Sequence, residues 1–352
     1  MARLVHKGSV KDLCVTRQPS DSEFGTGYME FKDRPDGTGP VSIFDLKERM
    51  PFGIRGKRQA MYDETVKFFS LMELHDIPTH YLGASGLSKR VYIKMAHIPE
   101  KGRWEEWVKE RGTKPFLVPI EVIISNDVTP PASLHKRLRA GKANPRDYGL
   151  ERPPERGETI TLAESAITTS TKLDQQDVYR DDLFDIVGLT EEKRDELTAL
   201  ARQANAVTRG SAAATGLYIA DGKFEFIMGP EGELLIADTY MTSDENRLLA
   251  KTRDGRFVDL SKQFLRNLYT INGYREGLEA AQDSGIPFDE WPVMEPLDEE
   301  TMNVVRASYA VVHQELCKKP MGLSLEKVAT QAQDTLDRFK EKYGRDETGE
   351  PL

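Results

Sequence analysis

The chain has 352 residues, of which 38% are hydrophobic, so it can bury the cores of two domains and is not disordered as a whole. Its formal net charge of −9 and its sequence pI of about 5.4 argue against a general nucleic-acid or anionic-membrane surface. These values favour a small-molecule partner.

The cysteines and the absence of long apolar runs predict a cytosolic protein. Cys14 and Cys317 have no CxxC spacing, so neither a disulfide framework nor a cysteine zinc site is indicated. No apolar run approaches the roughly 20 residues that span a bilayer, and residues 1–20 are too charged for a secretory signal. The Walker A, GxGxxG, HExxH and GxSxG motifs are also absent, so the enzyme classes that are most often identified by a motif are not indicated.

The first half of the chain alternates short β-like runs with turn clusters, and one helix interrupts them. The strands are predicted at 8–15, 27–32, 41–44 and 90–95, and the helix at 59–74. The run 116–124 reads as a buried strand that is entered through a proline-containing crossover. We take it as the hinge between a β-rich domain, 1–117, and an α+β domain, 118–352.

Helical patterns dominate the C-terminal third of the chain, after a mixed stretch in the middle. An Arg-, Pro- and Gly-rich irregular connection is expected at 137–157, and a helix with Thr190 as its N-cap runs to about residue 207. Two strands follow within 216–242. Further helices are predicted at 261–268, 298–316 and 324–343, before a frayed tail at 344–352.

The most informative local pattern lies in the first of those two strands. Alternation sends Lys223 and Glu225 to one face and the neighbouring phenylalanines to the other. If residues 230–233 form a hairpin loop, Glu225 lies opposite Asp238, and a divalent cation such as Mg²⁺ would relieve the repulsion between the two carboxylates. Lys223 could then bind a phosphate. The alternative is a solvated strand face in a different register.

Three weaker clusters carry polar side chains. The loop at 170–177, with Lys172 and Asp177, could orient an amine or a phosphate, although it also fits a capped turn. Arg247, three residues after Asp244, could fork onto a carboxylate or phosphate, although the segment alone reads as a surface loop. Lys7 and Lys11 on either side of Gly8, at a strand start, suggest phosphate contact, but lysines at strand edges are usually solubilising.

Taken in order, seven segments resemble the SAICAR synthetase (phosphoribosylaminoimidazole-succinocarboxamide synthase) family, and the layout is most similar to its archaeal-type members. The segments are 8–12, 42–45, 78–81, 117–122, 170–172, 223–226 and 244–247. The resemblance covers about residues 6–275. It implies an α+β, two-domain fold related to ATP-grasp enzymes and protein kinases, with ATP bound between the domains.

The family's activity supplies the expected reaction. ATP would phosphorylate the carboxylate of carboxyaminoimidazole ribonucleotide, and the amine of L-aspartate would then displace phosphate to form an amide. The match implies a nucleotide and Mg²⁺ site, a substrate site and a catalytic group. The nucleotide would contact Lys11, Leu117, Glu121 and Lys223, Mg²⁺ would bind Glu225 and Asp238, the substrate would contact Asp45, Ser133, Asp244 and Arg247, and the catalytic residues would be Lys172, Asp177 and Lys223.

Three departures from the family pattern affect the substrate side. Ser125 stands where the family usually has arginine, Ala132 lies in a Gly-Ser-Ser position, and Arg58 alters a Gly-Lys-Gly loop. A serine cannot replace the bidentate charge of an arginine. Compensation by Arg58, Lys136 or Arg137 would preserve the purine substrate, whereas an uncompensated loss would imply another carboxylate–amine pair.

Two other functional classes are weighed against the ligase. A non-catalytic nucleotide-binding module would not need Lys172, Glu225, Asp238 and Arg247 together, and a kinase would be expected to have His-Arg-Asp and Asp-Phe-Gly segments, which are absent. The helical extension beyond about residue 280 lies outside the resemblance. Such an extension is more typical of packing or homo-oligomer contacts than of chemistry.

Overall fold

Two antiparallel β-sheets organise the chain, which the computed structural model describes over residues 2–8, 11–31, 43–44, 52–100, 102–171 and 183–352. The strands are β1 (Arg3–Lys7), β2 (Lys11–Arg17), β3 (Gly25–Phe31), β4 (Tyr81–Ser85), β5 (Arg90–Met95), β6 (Phe116–Leu117), β7 (Ile120–Val128), β8 (Ile160–Thr171), β9 (Leu217–Met228), β10 (Leu234–Ala237), β11 (Arg247–Lys251) and β12 (Phe257–Asp259). The α-helices are α1 (Lys57–Leu74), α2 (Trp104–Glu110), α3 (Ser133–Arg139), α4 (Leu183–Ile186), α5 (Glu191–Ala213), α6 (Lys262–Ile271), α7 (Tyr274–Asp283), α8 (Glu299–Cys317) and α9 (Leu325–Tyr343).

The first sheet has five strands in the order β1-β2-β3-β5-β4. Val91, Ile93 and Met95 alternate with more exposed residues along β5, as expected for a sheet that buries one face. Helix α1 covers that face. Its Tyr62 ring packs edge-on against Phe31, with the ring centroids 6.2 Å apart, and each fully buried side chain of this size stabilises the fold by roughly 1.5–3 kcal/mol.

The second sheet is built around β9, which pairs with β7 on one side and β11 on the other, while β6 and β10 pair with its C-terminal end. Strand β9 has neighbours on both edges and α5 packs against it, and nearly all of its residues are buried. Phe31 of the first sheet, Phe226 of the second and Val312 of α8 belong to one hydrophobic cluster. The mixed α+β class predicted from the sequence is therefore confirmed.

Most predicted elements are confirmed within a few residues. The strand at 90–95 and the helices that became α1, α5, α6, α8 and α9 are present, and Thr190 caps α5 by accepting a hydrogen bond from the Lys193 amide at 3.3 Å. The predicted strand 116–124 is divided into β6 and β7 around Pro119. Strands of the first sheet end at residue 95 and those of the second begin at 116, and the domain boundary at 117 stays a prediction.

The frayed tail predicted at 344–352 is wrong. Asp346 is buried, and its Oδ2 lies 2.6 Å from Nε of Arg156. A bridge also pairs Arg345 with Pro351. Arg139 and Glu350 form a second link at 3.2 Å, so the tail and the connection at 137–157 are tied together by ion pairs that local sequence does not reveal.

Among the described helices, none combines the length and the hydropathy needed to cross a membrane.

Candidate active site

Strands β7 and β9 bring the predicted Lys223 and Glu121 together. Nζ of Lys223 lies 2.6 Å from Oε1 of Glu121, and the Ser170 hydroxyl lies 3.5 Å from the other carboxylate oxygen. Burial lowers the pKa of Lys223, but the carboxylates of Glu121, Glu245 and Glu225 more than offset it and hold the pKa well above its ordinary value. The lysine therefore remains a cation at neutral pH.

Lys11 reaches the same place from the other sheet. Its ammonium group pairs with the Asp238 carboxylate and lies 3.0 Å from the Thr239 hydroxyl. Burial lowers the pKa of Lys11, whereas the carboxylates of Asp238, Glu245 and Glu225 raise it by more, so the net shift is upward. The predicted nucleotide residues from both sheets thus converge on one site.

The expected pairing of Glu225 with Asp238 is wrong by one residue. Glu225 lies opposite Ala237 in the β9–β10 ladder, and Asp238 follows the strand with a φ of 60°. This left-handed backbone turns the chain out of the ladder, and Asp is among the residues that tolerate it best. Both carboxylates still act on Lys11, so the site keeps them near each other by another geometry.

Glu245 is a member of this site that the sequence reasoning missed. Burial raises its pKa, Lys11 and Lys223 lower it, and Asp238 raises it, with a net upward shift. The segment 244–247 had been noted for Asp244 and Arg247, but loop sequence does not show which side chain turns inward. We call the resulting group the lysine–carboxylate cluster, formed by Lys11, Glu121, Lys223, Glu225, Asp238 and Glu245.

An apolar patch adjoins that cluster. Leu117, predicted to contact the nucleotide, packs with Ala96, Ile227, Leu235 and Ala237. Ile227 and Ala237 lie on β9 and β10, two residues after Glu225 and one residue before Asp238. Buried apolar side chains therefore lie next to the charged groups along both strands.

Arg247 lies at the start of β11 and is held by three groups. Its guanidinium is 2.5 Å from Asp221, 3.3 Å from Oε1 of Gln263 and 3.4 Å from the carbonyl of Pro131. The last contact places Arg247 beside the start of α3, where the predicted substrate residue Ser133 lies. The buried Nε of Arg247 has no hydrogen-bond partner among the described atoms.

Lys136 lies one turn further along α3, close enough to Arg275 and Arg247 for their positive charges to affect its pKa. Burial lowers its pKa, and the two guanidinium groups lower it further. Its ammonium group has no hydrogen-bond or ion-pair partner in the part of the chain that the structure describes. Arg58, by contrast, donates from Nε to the carbonyl of Phe31 at 2.7 Å. Lys136 therefore lies near Arg247, whereas the contact described for Arg58 is with β3.

Asp244 is enclosed rather than open to the site. Its carboxylate lies 2.8 Å from Nζ of Lys57 and accepts a hydrogen bond from the Tyr309 hydroxyl at 2.9 Å. Only 2% of its side chain is exposed. Burial raises its pKa, while Lys57 and Lys262 lower it by more, so the group stays ionised.

Three predicted site residues, Asp45, Lys172 and Asp177, lie outside the described residues. Within the described ranges, no group of three or more His, Cys, Asp or Glu side chains is arranged to hold a metal ion. The predicted Mg²⁺ ligands Glu225 and Asp238 are two carboxylates, one fewer than such a group requires.

Comparisons with known proteins agree with the resemblance. The SAICAR synthetase family model matches residues 4–281. A phosphoribosylaminoimidazole-succinocarboxamide synthase of Thermoplasma acidophilum is 27% identical over 316 residues, covering 89% of this chain and 98% of the relative. A putative phosphoribosylaminoimidazole-succinocarboxamide synthase of Archaeoglobus fulgidus is 32% identical over 278 residues, covering 74% of this chain and 78% of the relative.

Solved structures show the same fold. A SAICAR synthetase (Type-2) in complex with ADP aligns with a TM-score of 0.55 and 20% identity, covering 91% of this chain and 100% of that one. A SAICAR-synthase from Saccharomyces cerevisiae complexed with SAICAR aligns with a TM-score of 0.60 and 18% identity, covering 92% of this chain and 97% of that one. With the match to the family model over most of its length, the chain belongs to the SAICAR synthetase family.

Proposed function

We propose that the lysine–carboxylate cluster and the basic groups near α3 form the site at which this chain, an ATP-dependent ligase of the SAICAR synthetase family, joins carboxyaminoimidazole ribonucleotide to L-aspartate in purine biosynthesis. The observation that carries the proposal is the meeting of Lys11 and Asp238 from different sheets beside the apolar patch of Leu117. That arrangement offers one surface for a base and another for phosphates.

The nucleotide fits the site in one orientation. Adenine would rest on the apolar patch around Leu117 and Ile227, and the phosphates would extend toward Lys11 and Lys223. Phosphoryl transfer needs positioning and neutralisation of charge more than covalent chemistry from the protein. The high pKa of Lys223 makes it an electrostatic group rather than a base.

The carboxylates of Glu225 and Asp238 fit a magnesium ion that travels with the nucleotide. Mg²⁺ commonly binds one or two carboxylates together with substrate phosphates, and both residues lie within electrostatic range of Lys11. When bound, Mg²⁺ would neutralise phosphate charge. Lys11 now pairs with Asp238, so the ammonium group would turn toward the phosphates when the carboxylate takes up the metal.

The ribonucleotide fits beside α3. Ser133, Arg247 and Lys136 would bind its phosphate, with Lys136 supplying the positive charge that Ser125 lacks. Ser125 itself is buried on β7 and pairs with Asp221 across the β7–β9 ladder, where Arg247 now places its guanidinium. This makes the loss of the arginine compatible with the purine substrate.

The chemistry proceeds in two balanced steps. A carboxylate oxygen of the ribonucleotide attacks the γ-phosphorus of ATP, which releases ADP and leaves an acyl phosphate. The amine of aspartate then attacks the acyl carbon, phosphate leaves, and a proton is lost from nitrogen as the amide forms. Lys223 and Lys172 would stabilise the developing negative charge, Asp177 of the same family loop would orient the amine and accept its proton, and enclosure of the site would keep water from the acyl phosphate.

The test is ADP release by the purified protein with Mg-ATP, L-aspartate and carboxyaminoimidazole ribonucleotide, with each component omitted in turn. Release that needs all three is the expected result. Release that needs a hydroxyl acceptor instead would indicate a kinase, and nucleotide binding without turnover would indicate a binding module or another carboxylate–amine pair. The division at residue 117, the cytoplasmic location and a homo-oligomer are further parts of the proposal.

A further inference from the structure

Helices α8 and α9 follow the part of the chain that matches the family model, which ends at residue 281. Helix α8 nonetheless packs deep in the protein. Its buried residues recur every three or four positions, which is the spacing of one helix face. They include Met302, Val305, Tyr309, Val312 and Leu316, all at most 4% exposed. The extension is therefore part of the core rather than an appendage.

Polar contacts fix the position of α8 against α1. His313 Nε2 lies 2.8 Å from an Asp63 carboxylate oxygen, and Nζ of Lys319, just beyond the helix, lies 2.5 Å from the same oxygen. Asp63 is on α1, next to Glu64, so these bonds set how α8 lies along α1. They also bring Tyr309, one turn before His313, to the face where α1 meets the segment 242–247.

Tyr309 contacts that segment at Asp244. Its hydroxyl donates to Oδ1 of Asp244 at 2.9 Å, while Nζ of Lys57 lies 2.8 Å from Oδ2 and 5.2 Å from the centre of the Tyr309 ring. Burial raises the pKa of Tyr309 well above its ordinary value, so the hydroxyl keeps the proton that it donates. One oxygen of the nearly unexposed Asp244 carboxylate therefore contacts a hydrogen-bond donor, and the other contacts a cation.

The neighbouring residues complete a rigid segment. The backbone amide and the hydroxyl of Ser243 both donate to Glu64, at 2.8 and 2.9 Å. Oδ1 of Asn246 accepts from the amide of Met241 at 2.6 Å. The hydrogen bonds of Ser243 and Asn246 therefore anchor the segment on both sides of Glu245. The segment places Glu245 in the lysine–carboxylate cluster and Arg247 beside Asp221 and the start of α3.

We propose that Tyr309, which lies beyond the residues that the family model matches, is a positioning residue for the substrate-binding segment 242–247. It acts through Asp244, and so fixes where Arg247 and Glu245 stand. The role of Arg247 toward the ribonucleotide rests on the proposed function, but the anchoring of the segment by Tyr309 does not.

The test compares Tyr309→Phe with Ser308→Ala in the full chain. The first variant removes only the hydroxyl that Asp244 accepts from. The second removes a buried hydroxyl from the same helix whose partner is the Val304 carbonyl one turn back. Hydrogen–deuterium exchange of residues 242–247 and steady-state kinetics are measured on both, and Asp244→Ala, which removes the acceptor, is combined with Tyr309→Phe in a double-mutant cycle.

Losing a hydrogen bond to a buried charged group costs enough free energy to weaken substrate binding by the residues that it positions about tenfold. Tyr309→Phe should speed exchange in 242–247 and raise KM for the ribonucleotide about tenfold, with KM for ATP nearly unchanged, and its effect should largely vanish in the Asp244→Ala background, which has no acceptor for the hydroxyl. Exchange and KM values matching those of Ser308→Ala would overturn the inference.

The two proposals can fail separately. Faster exchange in Tyr309→Phe alongside wild-type protein that does not turn over the ribonucleotide would uphold the anchoring and reject the substrate. Normal turnover of the ribonucleotide by the wild type, with unchanged exchange and unchanged KM in Tyr309→Phe, would uphold the substrate and reject the anchoring.

Discussion

Lys11 on β2 of the five-stranded sheet forms an ion pair with Asp238, which follows β10 of the seven-stranded sheet. The two residues are 227 positions apart in the chain. Their side chains are part-buried, with 20% and 30% exposed, so the pair can separate to admit a ligand at modest cost. The pair therefore marks the place where a nucleotide can contact both sheets at once.

Replacing Lys11 by methionine should weaken nucleotide binding. The side chain keeps its length but loses the charge that faces the phosphates, so KM for ATP should rise about tenfold, which corresponds to about 1.4 kcal/mol. Lys7→Met is the matched control, because Lys7 is exposed on the edge strand β1. Equal KM values for the two variants would remove Lys11 from the nucleotide site.

Replacing Lys223 by glutamine should act mainly on kcat. The lysine is held by Glu121 and remains charged, and loss of one preorganised charge typically lowers kcat about 10²-fold or more. Lys251→Gln on the exposed part of β11 serves as the control. Single-turnover rates of ADP formation would measure the effect, and a change confined to KM would contradict the catalytic role.

Glu225→Gln should raise the Mg²⁺ concentration needed for half-maximal turnover while leaving the melting temperature close to that of the wild type. The carboxylate is one of the two proposed metal ligands, and the amide keeps its size but not its charge. Glu231→Gln, on the exposed turn between β9 and β10, is the comparison. A Mg²⁺ titration identical to that of the wild type would exclude Glu225 as a ligand.

Lys136→Met should raise KM for the ribonucleotide about tenfold, because it removes the cation that we assign to the phosphate. KM for ATP should not change. Lys142→Met, at an exposed position just after α3, controls for a general change in surface charge. If only Lys142→Met affected the ribonucleotide, the compensation for Ser125 would have to come from elsewhere.

Glu64 should make stability depend on pH between about pH 4.5 and pH 8. Burial raises its pKa from about 4.5 to about 8, and nearby Asp244 and Asp63 add to the shift while bonds from Ser243 oppose it. Because the folded state holds this proton and the unfolded state does not, stability should fall as pH rises through the window between these values, by up to about 1.4 kcal/mol per pH unit.

Glu64→Gln removes that titration while keeping an acceptor for Ser243. The buried His80, with a pKa lowered to about 4 by burial, contributes below pH 6.5 and with the opposite sign, so the comparison belongs between about pH 6.5 and pH 8. Denaturant unfolding of both proteins in this range should give a smaller loss of stability for the variant. Parallel curves would show that Glu64 is already ionised at neutral pH.

The local secondary-structure elements could be predicted from the sequence, because the patterns that indicate them lie within a few residues of one another. The N-cap at Thr190 and the strand alternation of β5 were predicted and confirmed. The same alternation identified Lys223 and Glu225 as neighbours in one site, and the order of seven short segments identified the family. Each of these features depends on spacing along the chain, which periodic backbone geometry converts directly into structure.

Only the tertiary structure decided the contacts between distant segments. The left-handed φ of Asp238 places it out of register with Glu225, and Glu245 lies in the lysine–carboxylate cluster. Arg156 forms an ion pair with Asp346 in the tail. Tyr309 donates a hydrogen bond to Asp244, 65 positions earlier in the chain. Such contacts form when packed helices and sheets bring loops together, and a loop's own sequence does not specify which of its side chains will face inward. The sequence by itself determined the elements, the family and most of the candidate residues; the packing of the two sheets and the C-terminal helices determined which of those residues meet.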